Sequence, residues 1–352
     1  MGGNGAREAT SDQCRPEVIR VRAIAALVLV LLCAVVPALG QQPTFAGKTI
    51  AFIVGYPPGG GYDRIARMVA QYLPKYLPGN PAVIIQNMPG ANSIIAANHV
   101  YNVAKPDGLS VGVFNRNLVV GQLVNVEGMR FDMRKFAWIG SISSETTILA
   151  IRADLPYRQA TDLRRADPPL VVGATGPGAS TFDFPLLLKA LAGFNLKIIS
   201  GYPSSSDIML AVERREVDGR AGSYSSIKPW IDRGLVRPIV RGRASVPAIA
   251  KLPVDEDLVT DARAKAVMRL RSIPEQIGRP FVMPPGTPAA IVRLFIDAFK
   301  KISEDRDFLT EAERQGFEID FVGGDEAVKI VQEVLSSPPD VVKVFAQFFK
   351  FE

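Results

Sequence analysis

Thr49-Ile-Ala-Phe-Ile-Val-Gly-Tyr-Pro-Pro-Gly-Gly-Gly-Tyr-Asp63-Arg-Ile-Ala-Arg-Met-Val-Ala-Gln-Tyr-Leu73 decides the fold. Ile50 to Val54 is a short apolar run rich in β-branched residues, which reads as a buried strand. Pro57 and Pro58 stop it. Gly59, Gly60 and Gly61 then allow positive φ and close approach of backbone to a ligand. Beyond Asp63, the residues Ile65, Met68, Val69 and Leu73 recur at helical spacing. A strand thus runs through a glycine turn into a helix N-terminus, where free N–H groups and the positive dipole end suit an anion. The same glycines also serve a plain βα turn, and an acid at Asp63 suits the dipole with no ligand present.

The chain repeats this logic on both sides of its middle. Ala82–Ile85 reads as a second strand, ending in a loop that holds Asn87, Gly90, Ala91, Asn92 and Ser93. A helix over about 94–101 follows, with Asn92 or Ser93 as its expected cap. Leu109–Phe114 reads as a third strand, ending in Asn115-Arg116-Asn117. In an open parallel sheet such loops gather at the carboxyl ends of the strands, where ligands bind. Ile148–Arg152 is expected to carry the chain into a second lobe. There Leu170–Gly173 leads through Thr175, Gly176, Gly178 and Ala179 to Ser180 and Thr181, and then to a helix through Leu187 and Leu191. Strand, glycine turn and helix end recur, with three hydroxyl donors added. Arg237–Arg241 reads as a return strand. Thr287 is expected to cap a long amphipathic helix over 291–302, with Pro288 at its first position.

These residues carry a resemblance. Tyr56-Pro-Pro-Gly-Gly-Gly-Tyr62-Asp63, Asn87-Met-Pro-Gly-Ala91, Pro106-Asp-Gly108, Gly173-Ala-Thr-Gly-Pro-Gly178 and Met283-Pro-Pro-Gly-Thr-Pro288 resemble, in order, landmarks of the tripartite tricarboxylate transporter receptor family, the Bug-type extracytoplasmic solute-binding proteins. The resemblance runs over about 48–325. Two departures stand out. Asn92 and Ser93 occupy positions where the family has glycines, so this loop is expected to be more polar and less mobile. Pro203-Ser-Ser-Ser206 replaces the family's Lys-Gly-Gly turn after Tyr202.

The resemblance implies an α/β, two-lobed periplasmic binding protein of type-II kind with a ligand cleft between the lobes. Lobe 1 would be 41–145 with 246–352, and lobe 2 would be 146–245. The cleft would be lined by Gly59 to Asp63, Asn87 to Ser93 and Gly176 to Thr181, with Tyr56, Asn115, Tyr202 and Ser223 nearby. The implied role is to capture a small carboxylate and present it to a two-component inner-membrane permease driven by an ion gradient. A monomer with no cofactor is expected. A secreted α/β enzyme acting on a carboxylate, or a sensor without a transport role, would show the same features.

Composition narrows these readings. His99 is the sole histidine, and the two cysteines, Cys14 and Cys33, lie near the N-terminus. A histidine-based triad or a transition-metal cluster is therefore disfavoured, as is a thiol nucleophile. No Gly-x-x-x-x-Gly-Lys-Ser/Thr occurs, which excludes a P-loop. The net charge of +6 is dispersed, unlike the clustered basic face of a nucleic-acid binder. At the N-terminus, Arg20 and Arg22 precede the uncharged run Ala23–Val36 and then Pro37-Ala-Leu-Gly40. This is a secretory signal pattern over 1–40 with cleavage before Gln41, and it predicts a periplasmic address.

Overall fold

The computed structural model describes residues 44–244 and 246–348, together with 1–3 and 5. The expected signal segment and its cleavage point lie outside the described residues. The chain divides at Gln42/Pro43, and Pro43–Glu352 forms one unit built on two sheets.

The first sheet holds β1 (Thr49–Val54), β2 (Ala82–Asn87), β3 (Ser110–Val113), β4 (Ala137–Ser143), β10 (Phe281–Met283) and β11 (Ile319–Gly323), in the order β11-β4-β10-β3-β1-β2. The second holds β5 (Thr147–Arg152), β6 (Leu170–Gly173), β7 (Leu196–Ile199), β8 (Gly219–Ser223) and β9 (Val236–Arg241), in the order β7-β6-β8-β5-β9. Both follow one plan. A parallel trio has its first strand in the centre, β2-β1-β3 in one sheet and β7-β6-β8 in the other. Beside each trio lies one antiparallel strand, β10 or β5, that has arrived from the other sheet.

The opening stretch folds as read. β1 is buried in its last three residues, and α1 (Gly61–Tyr76) buries Ile65, Met68, Val69 and Leu73. These pack with α8 (Ala289–Ser303) through Phe295, Phe299 and Ile302. Phe52 meets Phe281 at 5.6 Å, and Phe281 meets Phe299 at 4.9 Å, both edge to face. Burial of each such side chain contributes about 1.5–3 kcal/mol. A second cluster runs from Trp138 of the first sheet, with Phe114 just past β3, to Leu149 and Val172 of the second sheet and Phe184 of the helix that follows β6. Continuous apolar packing therefore joins the two sheets.

Arg237–Arg241 is a strand as read, part of β9 at an edge of the second sheet. The chain re-enters the first sheet at β10. Two local readings change. Residues 246–254 stay with the second sheet, where Val246 and Ile249 join its outer cluster and Arg241 pairs with Val254. At α8 the cap position falls on Pro288, because the Thr287 hydroxyl donates backwards to Pro284 O at 2.8 Å. No helix among the described residues is long and apolar enough to cross a membrane.

Candidate functional site

The carboxyl ends of both parallel trios face one cavity. The space inside it open to water-sized molecules is about 70 Å³, so its walls stand close together. Four helix N-termini reach it. Gly60 and Gly61 line it at the start of α1; Ala179, Ser180 and Thr181 line it at the start of α4 (Ser180–Ala192). Neither helix has a side-chain cap, so the wall presents free N–H groups. Ser204 and Ser205 line it at α5 (Ser205–Glu213), and Gly222 and Ser223 at α6 (Tyr224–Asp232).

From the opening turn, Tyr56 and Tyr62 also line the cavity. Their rings stack with centroids 4.9 Å apart. Burial, with Tyr62 beside it, pushes the Tyr56 phenol far above its ordinary pKa, so it stays neutral. Gly59 and Asp63 do not line the cavity. The Asp63 carboxylate accepts from Gly59 N at 2.8 Å, Arg67 Nε at 2.9 Å and Asn87 Nδ2 at 2.9 Å. Burial alone would raise its pKa, but these three donors outweigh burial and hold it below the usual carboxylate value. Asp63 braces the turn from behind.

The second loop also supports rather than lines. Asn87 Nδ2 donates to Tyr56 O at 2.8 Å. Past Gly90, three consecutive non-glycine residues take positive φ: Ala91 at 43°, Asn92 at 50° and Ser93 at 81°. The expected capping fails for this reason, since a cap residue needs extended backbone to aim its oxygen at the helix. Ser93 Oγ instead donates to Gly55 O at 3.2 Å and accepts from Asn115 N at 3.2 Å. Asn92 reaches across to Pro177 O in the second lobe. Asn115 Nδ2 to Gly178 O at 2.9 Å and Ser206 Oγ to Gly59 O at 3.3 Å also span the lobes.

In the second lobe, Thr175 lines the cavity and is tied to Thr181, Oγ1 to Oγ1 at 2.8 Å. Gly176 and Gly178 do not line it. Gly178 N donates to Asp183 Oδ1 at 2.8 Å. Tyr202 lies outside the lining and packs in the cluster under the second sheet.

The largest part of the site that sequence reasoning missed is three buried arginines, Arg116, Arg220 and Arg279, which line the cavity together with Asn115. Arg116 follows β3, Arg220 sits inside β8, and Arg279 precedes β10. Arg279 pairs with buried Glu145 and donates through Nη2 to Ser225 Oγ at 3.0 Å; Ser225 in turn donates to Glu145. Arg220 Nη2 donates to Ser226 O at 3.0 Å and Ser226 Oγ at 3.1 Å. Burial pulls Arg220 and Arg279 down to about 9, so both remain charged at neutral pH. Two glycines make room for them. A Cβ on Gly61 would fall 2.5 Å from Arg279 Nη2, and one on Gly222 would fall 2.8 Å from Arg220 Nη1. The signal was present in Gly219-Arg-Ala-Gly222, where one charge stands among residues too small to belong to a solvent face.

The sequence model of the tripartite tricarboxylate transporter family receptor matches residues 65–345. The chain belongs to this family. Its receptor fold is shared with solved structures. One of these, the periplasmic binding protein BugD, is 19% identical with a TM-score of 0.68, and the match covers 85% of this chain and 97% of that one. MatC from Rhodopseudomonas palustris with bound malate is 20% identical with a TM-score of 0.67, covering 84% and 98%. A second R. palustris protein, with adipate, is 18% identical with a TM-score of 0.68, covering 85% and 97%. Among curated sequences, a UPF0065 protein of Bordetella pertussis is 26% identical over 304 residues, 85% of this chain and 90% of the relative. The two-sheet architecture described above is the two-lobed fold of these receptors.

Proposed function

We propose that this receptor captures a small carboxylate in the periplasm and presents it, unchanged, to a two-component inner-membrane permease driven by an ion gradient. One observation carries the reading. Four helix N-termini meet at the cavity, every charged side chain on its wall is an arginine, and no carboxylate lines it. Such a wall binds an anion and holds no acid–base pair to transform it. The malate and adipate held by two solved relatives agree with this ligand class. The leader over 1–40 would direct export and be removed before Gln41. The receptor would act as a monomer, with its two lobes, one on each sheet, closing on the ligand.

Mass spectrometry of small molecules released from freshly purified, denatured protein tests the reading. A carboxylate at close to one per chain is expected; a sugar, nucleotide or peptide in its place overturns it. Gly60→Asp adds a direct check. Gly60 has φ of −74°, and a Cβ there meets nothing closer than 3.9 Å, so the new charge faces the cavity without strain. Asp is also a favoured N-cap residue. Calorimetry should show the released carboxylate binding at least about tenfold more weakly, about 1.4 kcal/mol, while the unliganded melting temperature holds or rises.

A further inference from the structure

We infer that Asn92 and Ser206 form a latch between the lobes: they hold the closed form together directly, and so lengthen the stay of a bound molecule without touching it. The consequence for release rests on the reading of this cavity as the receptor's ligand site; the latch itself does not.

The two glycine turns are gripped from both sides. Gly59 N donates to Asp63 of its own lobe, and Gly59 O accepts from Ser206 Oγ of the opposite lobe at 3.3 Å. Gly178 repeats the pattern. Its N–H goes to Asp183 of its own lobe, and its O accepts from Asn115 Nδ2 of the other at 2.9 Å. Asn92 Nδ2 adds a bond to the neighbouring carbonyl, Pro177 O. These turns open α1 and α4, whose N-termini reach the cavity. Asn115 lines the cavity, whereas Asn92 and Ser206 do not. The bonds of Asn92 and Ser206 run from protein to protein, so they favour closure with the cavity full or empty. A molecule held between close walls leaves when the lobes part, so what holds the lobes also holds the molecule.

The backbone is shaped for this contact. Ala91, Asn92 and Ser93 all have positive φ. Residues with a Cβ adopt that conformation at a cost and keep it only where the surroundings enforce it. Ser93 supplies the enforcement in the first lobe. It is fully buried and bonded to Gly55 O and Asn115 N. It fits because Gly55 is bare: a Cβ there would fall 2.4 Å from Ser93 Oγ. With Ser93 anchored, the residue before it is turned towards the second lobe. The seat there is bare as well. Cβ atoms on Gly176 and Gly178 would come within 4.0 and 3.7 Å of Asn92 Nδ2, so the amide lies over a turn whose only side chain is that of Pro177. On the other arm of the latch, Ser204 Oγ caps α5 by accepting from Ser206 N and Asp207 N, which fixes Ser206 on the first turn, beside Gly59.

Single-molecule energy transfer on the ligand-free protein tests the latch. Residues 41–352 contain no cysteine, so dyes can be placed at Val103→Cys in the first lobe and Leu210→Cys in the second, both exposed positions. The parent should show a closed population. Asn92→Gly and Asn92→Asp both tolerate positive φ, and both lack the donor. Each should raise the open-to-closed ratio about three- to tenfold, the worth of one net hydrogen bond. Ser206→Ala loses a longer bond and should raise the ratio about twofold, and the double variant should show about the product. Malate and adipate, the molecules held by two solved relatives, serve as probes of release. Stopped-flow dissociation of whichever binds should quicken by similar factors. A ligand-free parent with no closed population overturns the inference, as do ratios and release rates that the variants leave unmoved. An effect in Asn92→Gly but not in Asn92→Asp also overturns it, because loop freedom and not the bond would then be responsible. If neither malate nor adipate binds, the failure falls on the carboxylate reading, and the ligand-free ratio alone decides the latch.

Discussion

The turns at Gly59–Asp63 and Gly178–Asp183 share one local design, yet the pKa values of their aspartates move in opposite directions. Each follows a parallel central strand, opens a helix at the cavity wall, and has a glycine N–H donating at 2.8 Å to an aspartate in the helix's first turn. Asp63 also meets Arg67 and Asn87 and is ionised. Asp183 has no such neighbours. Its nearest cation, Arg271, is already held by Glu275 at 2.6 Å and Asp255 at 3.1 Å, and it stacks over Phe184. Burial therefore dominates and pushes the Asp183 carboxyl well above the usual carboxylate range. A helix N-terminus favours an acid at this position, but the dipole contributes only about 0.3–1 kcal/mol in ordinary cases. A discrete cation and a second donor decide which way the acid's pKa moves.

The comparison can be broken by experiment. Asp63→Asn turns an amide NH2 towards donors that need an acceptor, and should cost about 2–3 kcal/mol, since hydrogen bonds to a charged group are worth about 1.5–3 kcal/mol. Denaturant titration followed by circular dichroism would measure it; a loss under about 0.5 kcal/mol would show that the brace does not hold the turn. The pH dependence sharpens the point. The folded pKa of Asp63 is lowered, so its contribution is present above the unfolded value of about 3.9 and disappears as pH falls through the folded value. The deficit of Asp63→Asn should accordingly shrink below about pH 4.

Asp183 has the opposite sign. Its folded pKa is raised, so its contribution is full below about pH 3.9 and is lost as pH rises towards the folded value. Asp183→Asn, a near copy of the protonated acid, should lie within about 1 kcal/mol of the parent at pH 4 and gain on it between pH 4 and 7. A variant that loses ground as pH rises would mean Asp183 is ionised. The smallest contrast is within the second turn. Thr181→Val breaks the bond to Thr175 and should cost about 1 kcal/mol. Ser180→Ala, on the cavity wall without such a tie, should change unliganded stability by less than about 0.5 kcal/mol.

The sequence makes the βα units legible because β-branched runs, glycine turns and helical spacing all agree there. It also indicates the cavity's location, since Tyr56, Gly60, Asn115 and Ser180 all follow strand ends. Three parts were hidden for physical reasons. α7 (Ala262–Ser272) escaped notice because its stripe is interrupted by arginines, one of which, Arg271, is buried and paired. β11 was missed because its burial is only partial. The cavity arginines were missed because a cation next to or inside a strand ordinarily signals solvent, and their burial depends on residues from β4, α6 and the β10 approach that meet only in the fold. The Asn92-Ser93 pair reads as a cap by residue type, but its left-handed backbone is set by contacts to Gly55 and Pro177.

The link between β4 and β5 consists of residues 144–146 alone. Four Cα steps separate Ser143 from Thr147, and a fully extended chain spans at most about 3.6 Å per step, so these strand ends can never stand more than about 14 Å apart. The second link, 255–280, is long, but it leaves the second sheet beside the same place: Val254 pairs with Arg241, and Gly242 N is bonded to Thr147 O at 2.8 Å. Both covalent tethers are thus pinned at one point. Sliding one lobe away from the other is blocked there by chain length, and what remains is a swing about that point.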